Sequence, residues 1–529
     1  MNPLPVNLPL RDSFSRKKIS RRTALKSLAA SVPAFHIAKA WAATAGRIAP
    51  TSFRGTRDSL AAYQCPDWFR NAKFGIWAHW GPQSAAEYGD WYARNIYIQG
   101  SRQNRFHVKT YGHPSKFGYK DIIPTWHGKE FDPEFLVSLY KKAGAKYFMS
   151  MGAHVDNFDL WNSKHTRWNA AKMGIKRNVV GEFEKAARRN GLKFGVSDHL
   201  WMAYKWMSVS RGSDTTGPLA GVPYDGVDPQ FADLYGDCPR VYRKLPWDED
   251  DIPDSWKQEW FQRIKDLLDQ SQPDIVYSDG GIPFGHWGLD LLAHFYNQNT
   301  QRLGGKMEAV YTSKHEEDSA DGLCVFDKER GVVEGIWPRP WQLCTCVGHW
   351  HYDREAIYKT PKRVIDMLVD IVSRNGNLLL NFPLPNSGML DAQELKILEA
   401  ITAWMNINGE AIYETRPWKI FGEGGIVKNE PGVKYNESSL KDFTAAETRF
   451  TTKGKVLYAF FMGWPEQQIT IIPLGAHKPY VAGKIQTLQL LGHDGKLDWK
   501  HDERGLTVQL PKQCPCEFAY VLKIEGLET

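Results

Sequence analysis

Apolar strands that alternate with amphipathic helices constrain this chain more than any other feature of its sequence. Each predicted strand is closely followed by, or ends in, a polar side chain; the strands are predicted at 73–78, 147–152, 193–197, 275–277, 307–311 and 377–381. Helices are predicted at 132–144, 179–190, 253–270, 289–299, 361–374 and 392–405. This order predicts an α/β fold, a (β/α)8-type barrel, whose functional side chains gather at the carboxyl ends of the strands. A doubly wound nucleotide-binding sheet fits less well, because no Gly-rich phosphate loop opens a helix after the first strand.

Asp279 follows the shortest of these strands. The segment QPDIVYSDGG enters a buried strand after Pro273 and ends in Asp279, Gly280 and Gly281. A carboxylate at the end of a buried strand, before residues that let the backbone turn sharply, is how a parallel α/β scaffold presents a catalytic acid. Asp before Gly is also a common turn signal. The fragment alone therefore predicts either a catalytic acid or a turn-capping residue.

The pattern of the sequence changes near residue 411. A chain of 529 residues is too long for one compact core. Short alternating segments at 456–461, 468–472 and 518–523 are separated by turn residues, with no amphipathic helix among them. We therefore predict a barrel domain over 50–410 and a small β-sandwich domain over 411–529.

Residues 1–42 predict an export signal. A basic segment contains the pair Arg21-Arg22 and precedes an Ala-rich stretch that ends in Ala40-Trp41-Ala42. This is the pattern of a twin-arginine signal peptide with a small-residue cleavage site, and its apolar run is too short and interrupted to span a membrane. We expect a periplasmic or secreted protein with no membrane association after signal removal.

The same leader carries the excess positive charge. The chain has 67 Lys and Arg against 60 Asp and Glu, but residues 1–42 hold eight of the basic residues and one acid. The remaining chain has 59 of each. Composition therefore gives no reason to expect a nucleic-acid partner. The 21 Trp and 22 Tyr favour a carbohydrate binder instead, because aromatic faces stack on sugar rings.

Two long regions, 203–252 and 315–352, show little periodicity and are predicted to be irregular. Loops of this length in a compact domain are usually functional. The seven cysteines are an odd number, and the pairs Cys344/Cys346 and Cys514/Cys516 have one-residue spacers, unlike zinc sites. We expect no structural metal.

Several motifs occur in a fixed order between about residues 65 and 420. They are AKFGIWAHWG with His79, Asp90-Trp91-Tyr92, AHVDNFDLWNSKHTRWN with His154, PDIVYSDGG with Asp279, and the closing pair NGNLLLNFPLPNSG and NGEAIYET. In this order they resemble the α-L-fucosidases of glycoside hydrolase family 29. The resemblance implies a (β/α) barrel with a C-terminal β-sandwich, a carbohydrate substrate, and no metal or organic cofactor.

The resemblance also implies an exo-acting retaining glycosidase that releases terminal α-L-fucose by double displacement. Asp279 would be the nucleophile. The acid/base would lie in the region 315–352, where Glu329 best matches the family's spacing to Pro340-Trp341-Gln342. The alternatives for this role are Glu334, Glu316 and Glu317. The implied sugar contacts are His79, Asp90, Trp91, His154 and Trp350.

The chain departs from the family pattern at several positions. Asp90 replaces Glu, Val155 replaces a second histidine, and Lys314 stands where relatives carry Arg. Residues 197–199 replace a Tyr-rich strand end. These departures leave two alternatives open, an α-L-galactosidase of the same family and a non-catalytic sugar-binding relative. The intact Asp279 and Glu329 favour an enzyme.

Overall fold

The computed structural model describes residues 52–424, 437 and 442–529. The predicted signal peptide, residues 1–42, lies outside the described residues, so the signal and the export stay predictions. Among the described residues, no helix combines the length and the apolar character needed to cross a bilayer.

Eight parallel strands close into a barrel in chain order. They are β1 Phe74–Ala78, β2 Tyr147–Ala153, β3 Lys193–Asp198, β4 Ile275–Ser278, β5 Val310–Ser313, β6 Val325–Glu329, β7 Trp341–Cys346 and β8 Gly376–Asn381. The barrel closes at β1, where Ile76 lies opposite Phe148 of β2 and Leu380 of β8. The predicted (β/α)8-type barrel is confirmed.

Helices connect the strands and pack on the barrel; α7 contacts β2 and β3, and α13 contacts β8. The helices are α1 Arg57–Leu60, α2 Asp67–Ala72, α3 Tyr92–Asn95, α4 Arg102–Thr110, α5 Tyr119–Ile122, α6 Pro133–Lys142, α7 Val179–Arg189, α8 Ala203–Trp206, α9 Ala232–Tyr235, α10 Asp254–Ser271, α11 His286–Arg302, α12 Glu316–Ala320, α13 Pro361–Ser373 and α14 Ala392–Asn408. The helix start predicted at Asp132 is confirmed, because its carboxylate accepts a hydrogen bond from Phe135 N at 3.0 Å.

Two barrel strands, β6 and β7, lie in the region predicted to be irregular, so that prediction is wrong. Their polar side chains face partners inside the barrel. Tyr147 Oη donates to Gln342 Oε1 (2.9 Å), and Gln342 Nε2 donates to Asp327 Oδ1 (2.8 Å). Burial raises the pKa of Asp327 to about 6. These polar groups find their hydrogen-bond partners only in the folded barrel. The two strands can therefore carry polar residues, and they lack the continuous apolar run that identifies a buried strand in a sequence.

The predicted start of β5 is also wrong. The strand begins at Val310, three residues after the predicted start at 307. The backbone carbonyl of Glu308 instead accepts a hydrogen bond from Trp68 Nε1 at 2.8 Å. This contact comes from α2, which lies 240 residues away along the chain, so the local sequence does not reveal it.

The C-terminal region forms two antiparallel sheets. Their strands are β9 Arg416–Glu423, β10 Thr448–Lys453, β11 Val456–Phe461, β12 Gln468–Ile471, β13 Gly483–Leu490, β14 Trp499–Asp502, β15 Gly505–Gln509 and β16 Tyr520–Leu527. The orders are β13-β16-β11-β10-β9 and β12-β15-β14. Phe450 and Phe461 of the first sheet share one core with Ile471 and Leu506 of the second. The predicted β-sandwich is confirmed.

Residues 203–252 fold into short helical turns, which include α8, α9 and the 3₁₀ turn Met207–Arg211. Arg94, in α3, connects this segment to the region after β1. Its guanidinium is buried and donates to the carbonyl oxygens of Trp206 and Tyr242, and burial lowers the pKa of Arg94 to about 10. The segment is therefore anchored, although it has no long regular element.

Candidate active site

The carboxyl ends of the barrel strands surround a cavity of about 430 Å³, hereafter the pocket. Each of the strands β1 to β6 supplies one polar side chain, either at the strand end or directly after it. The lining residues are Trp77, His79, Asp90, Trp91, His154, His199, Trp201, Trp247, Tyr277, Asp279, Gly280, Lys314, His315, Glu329 and Trp350. The polar groups form two sides. We call Asp279, Lys314 and Glu329 the carboxylate side, and His79, His154 and His199 the histidine side.

On the carboxylate side, one ammonium group contacts both carboxyl groups. Lys314 Nζ donates to Asp279 Oδ1 and to Glu329 Oε2, the latter at 2.5 Å. The three side chains come from the neighbouring strands β4, β5 and β6, so the barrel itself sets their spacing. Their side chains are between 23% and 34% exposed, which leaves both acids open to a ligand in the pocket.

The charges on this side determine its protonation. Burial by itself would raise the pKa of the Asp279 carboxyl, but Lys314 and the nearby His199 outweigh it and hold that pKa well below its usual range. Burial would lower the pKa of Lys314, whereas Asp279 and Glu329 raise it well above its usual value. At neutral pH the pocket therefore contains an ionised Asp279 beside a charged Lys314.

Two indole N–H groups hold the acids in place. Trp201 Nε1 donates to the backbone carbonyl of Asp279 at 2.8 Å, and Trp350 Nε1 donates to Glu329 Oε1 at 3.0 Å. The Glu329 carboxyl group thus has a neutral donor as well as the shared ammonium, whereas at Asp279 the indole holds the backbone. This arrangement restricts the rotation of Glu329 and the position of the strand end at Asp279.

On the histidine side, hydrogen bonds select the tautomers. Asn381 Oδ1 accepts from the backbone N–H of His79 (2.8 Å) and from its Nδ1 (3.1 Å), so Nε2 of His79 remains an acceptor. Gln83 Nε2 lies 2.9 Å from His154 Nδ1, which must accept, so Nε2 of the neutral His154 carries a proton. The family resemblance implies that His79 and His154 would both donate hydrogen bonds to sugar hydroxyls. The structure instead presents one acceptor and one donor, the pair that a hydroxyl group needs.

The histidine side is buried, and its His79 and His154 rings are neutral. Burial, together with the neighbouring histidines, lowers the pKa of both His79 and His154 well below 6.5. The ring centroids of His154 and His199 are 4.7 Å apart, and those of His79 and His199 are 5.5 Å apart. A second positive charge among such close rings is unfavourable, so His79 and His154 bind through neutral hydrogen bonds. His199 also contacts the carboxylate side, because its Nδ1 lies 3.1 Å from Asp279 Oδ2.

Asp90 reaches the pocket with the help of a fully buried histidine. His351 Nδ1 lies 2.6 Å from Asp90 Oδ1. The adjacent carbonyl of Trp350 accepts from Asn381 Nδ2 at 2.9 Å. Asn381, at the end of β8, therefore connects His79 to the loop that holds both Trp350 and His351.

Two groups of side chains have the composition of metal ligands. They are His79 with His154 and His199, and Asp90 with His154 and His351; within each group the ligand atoms lie within 4.8 Å of one another. All of these residues except His351 line the pocket. A hydroxylated ligand would compete for them with any metal ion.

Comparison with known proteins identifies the family. Residues 40–410 match a family model described as alpha-L-fucosidase, and residues 441–525 match one described as the alpha-L-fucosidase C-terminal domain. The chain belongs to the alpha-L-fucosidase family. The recognition of this family and of the glycosidase class from the sequence is therefore confirmed.

Relatives of this alpha-L-fucosidase family member match it over most of their length. The chain is 27% identical to the plasma alpha-L-fucosidase of Homo sapiens, covering 90% of this chain and 93% of the relative. It is 28% identical to the tissue alpha-L-fucosidase of Rattus norvegicus, covering 91% and 94%. The solved structure of the Thermotoga maritima alpha-fucosidase in complex with fucose is 26% identical, with a TM-score of 0.66, covering 89% of this chain and 100% of that one.

In this family member, every residue predicted for the site lines the pocket: Asp279, Glu329, His79, Asp90, Trp91, His154 and Trp350. Among the four glutamates considered for the acid/base role, Glu329 is the one in the lining. The alternatives Glu334, Glu316 and Glu317 are exposed and lie outside it. The placement is a finding of the structure, whereas the catalytic and binding roles stay predictions.

Sequence reasoning missed His199, Trp201, Trp247 and His351 as site residues. It noted Lys314 only as a departure from the family. His199 and Lys314 each directly follow a barrel strand, and this position in the sequence could have identified both as site residues.

Two of the departures from the family pattern flank His154, Val155 in the sequence and His199 in space. Val155 is buried and lies outside the pocket lining. His199, from the next strand, places a second imidazole beside His154. The imidazole neighbour of His154 in the pocket therefore comes from the end of β3.

Proposed function

We propose that this protein is an exo-acting retaining α-L-fucosidase that releases terminal α-L-fucose by double displacement. The observation that carries the proposal is the single ammonium group of Lys314 in contact with both Asp279 and Glu329. Retaining glycosidases hold their two carboxyl groups about 5–5.5 Å apart, and inverting ones hold them about 6.5–9.5 Å apart. Two acids that share one ammonium support the shorter separation.

In the first step, the carboxylate of Asp279 attacks the anomeric carbon. Protonated Glu329 gives its proton to the glycosidic oxygen, the carbon–oxygen bond breaks, and the aglycone leaves as an alcohol. In the second step, Glu329 takes a proton from water, and the water oxygen attacks the same carbon and releases Asp279. Two inversions leave the product in the α configuration.

Lys314 supports both steps through its charge. Before the reaction it stabilises the ionised nucleophile. In the glycosyl-enzyme, Asp279 is a neutral ester, so the ammonium faces Glu329 alone and favours its ionised form. That form is the base which the second step requires.

The histidine side supports recognition of the sugar. His79 Nε2 as an acceptor and His154 Nε2–H as a donor suit sugar hydroxyl groups. Trp91 and Trp350 add apolar surface for the ring. Because both histidines are neutral, these contacts do not disturb the charge balance of the carboxylate side.

The stereochemistry of the first product tests the mechanism. With an aryl α-L-fucoside, proton NMR should show α-L-fucose before mutarotation. In Glu329→Ala, activity on a nitrophenyl fucoside should survive better than activity on a natural fucoside, and added azide should give an α-linked fucosyl azide. Glu334→Ala, whose side chain lies outside the pocket, is the matched control and should behave like the parent. A β-anomer formed first would overturn the two-step scheme.

The alternatives are separated by one further assay. L-Galactose differs from L-fucose by a hydroxyl on the methyl carbon, so matched aryl glycosides compared by kcat/KM decide between the two sugars. We expect the fucoside to be preferred. A preference for the galactoside would make the protein an α-L-galactosidase, and binding of fucose without turnover of either glycoside would make it a sugar-binding relative.

We also propose that the protein is exported in folded form by the twin-arginine route. The support is the Arg21-Arg22 pair ahead of a weakly apolar segment. Replacing both arginines by lysine should leave the protein in the cytoplasm, as measured by cell fractionation. Unchanged export would contradict the proposal.

A further inference from the structure

Trp247 is an exposed indole at the mouth of the pocket. Its side chain is 60% exposed, and among the exposed large apolar side chains of the described residues it alone lines the pocket. It lies in the long segment 203–252, which has no regular element of its own around this position. A large apolar side chain kept in water at the edge of a binding cavity is a common feature of a ligand contact.

The backbone around Trp247 is held on both sides. Asp248 accepts from the ammonium of Lys205, at 2.6 Å to Oδ1 and 3.2 Å to its carbonyl oxygen. The Lys205 side chain is only 1% exposed, and a buried ammonium is costly unless it has such partners. Glu249 Oε1 accepts from Phe284 N at 2.9 Å, which links the segment to the loop after Asp279. The fold therefore fixes the place of an indole that itself packs little.

A second tryptophan faces Trp247. The ring centroids of Trp91 and Trp247 are 5.7 Å apart with an interplanar angle of 45°. Trp91 is half-buried and lines the pocket, and its other edge packs on Trp206 at 6.1 Å. The two indoles form a continuous aromatic edge that begins inside the pocket and ends in solvent.

We propose that Trp247 forms a subsite for the sugar ring to which the terminal fucose is attached, by stacking on the apolar face of that ring. The inference rests on the proposed function, because an exo-acting enzyme holds the terminal sugar inside the pocket and the next one at its mouth. An exposed indole face suits the C–H groups of a pyranose, whose hydroxyl groups stay hydrated at the edge of the ring.

The surroundings of Trp247 favour a carbohydrate over an alkyl chain. Pro246 and Asp248, on either side of Trp247, line a neighbouring cavity of about 290 Å³. Its other lining side chains include Arg240, Lys244 and Asp250. An alkyl aglycone would require a continuous apolar groove, whereas these charged groups can hydrogen-bond the hydroxyls of further sugar residues.

Two substrates separate the subsite from the reaction centre. α-L-Fucosyl fluoride has no aglycone sugar, whereas fucosyl disaccharides of different linkage place a pyranose next to the fucose. In Trp247→Ala, kcat/KM for the best disaccharide should fall about tenfold, as loss of an aromatic contact predicts, and that for the fluoride should change less than twofold. Trp247→Phe, which keeps an aromatic face, should retain most of the activity. Trp499→Ala, a change of an exposed Trp in the C-terminal sandwich, should alter neither.

Binding measurements keep the test independent of turnover. In the Asp279→Asn background, calorimetry should show that Trp247→Ala weakens binding of the disaccharide and leaves binding of free fucose unchanged. Equal losses with both ligands, or no loss with either, would overturn the subsite. A parent enzyme that hydrolyses no fucoside, but shows the selective loss in binding, would overturn the proposed function and leave the subsite standing.

Discussion

The two sides of the pocket hold polar groups in opposite ways. The carboxylate side is charged and partly open, with Lys314 between two acids. The histidine side is closed, with His79 and His154 at most 4% exposed and both rings kept from protonation by burial and by neighbouring histidines. Both sides sit at the ends of adjacent strands of the same barrel, so the difference comes from the local partners rather than from the fold.

The difference matches the task that we propose for each side. A double displacement moves a proton and a negative charge, and these changes can be absorbed where a cation and solvent are near. Sugar hydroxyls carry no charge, and their hydrogen bonds are strongest where competing water is absent. Separating the two proposed tasks would let the carboxylate side change its charge while His79 and His154 stay neutral. Four substitutions test this separation.

The largest effect should follow removal of the nucleophile. In Asp279→Asn, kcat should fall on the order of 10⁴-fold with every fucoside, because the reaction loses the group that attacks the anomeric carbon. The affinity for fucose, measured by calorimetry with the variant, should change much less. A small loss of kcat would mean that another group attacks, and the carboxylate side would lose its assigned role.

Removal of the shared cation should come next. Lys314→Met should lower kcat on the order of 10²-fold, because a preorganised charge at the reacting groups is lost. Asp279 would lose the largest influence that lowers its pKa, so the acidic limb of the kcat/KM profile should move to higher pH. Lys314→Arg keeps the charge and should leave the limb nearly in place. An unmoved limb in Lys314→Met would show that the ammonium does not control the nucleophile.

A substitution on the histidine side should lower the activity less and should leave the acidic limb of the kcat/KM profile in place. In His154→Ala, loss of a hydrogen bond that leaves a sugar hydroxyl unpaired costs about 1–3 kcal/mol, which is roughly a 5- to 150-fold lower kcat/KM. Val155→Ala alters the next residue along the chain, which is buried outside the pocket lining, and serves as the control. Its kcat/KM should stay within about twofold. Equal losses in both variants would indicate a general packing defect instead of a lost sugar contact.

The smallest effect concerns the pH dependence of the free energy of unfolding. A buried His with a lowered pKa stays neutral in the folded state while the unfolded chain takes up a proton, so its contribution is complete above about pH 6.5 and is lost as the pH falls below that value. Each such His can cost up to about 1.4 kcal/mol per pH unit in this range. In His154→Gln, the free energy of unfolding in urea should therefore fall less steeply than in the parent between pH 6.5 and 5. Comparing slopes removes the opposite contribution of Asp198, whose pKa burial raises to about 6. Identical slopes in the parent and in His154→Gln would show that His154 has the same pKa in the folded and unfolded states.

The sequence by itself determined the barrel, the sandwich and most of the pocket. Strand and helix periodicity is local, and each barrel strand directs its last side chains toward one end of the fold. For that reason Asp279, His79 and His154 could be placed from segments of about ten residues. The family motifs added Asp90, Trp91, Glu329 and Trp350, all of which the structure brings to the pocket.

Only the tertiary structure decided the remaining features, because they depend on contacts between distant parts of the chain. Strands β6 and β7 were missed because their polar residues are satisfied by Tyr147 and by each other across the barrel. The sequence favoured Glu329 by its spacing, and the structure adds that Lys314 contacts Glu329 alone among the four glutamates. The pairing of His351 with Asp90 spans 261 residues and leaves no mark on either local sequence. Local sequence sets which side chains reach the end of a strand, and long-range packing sets which partner each one meets and therefore its charge.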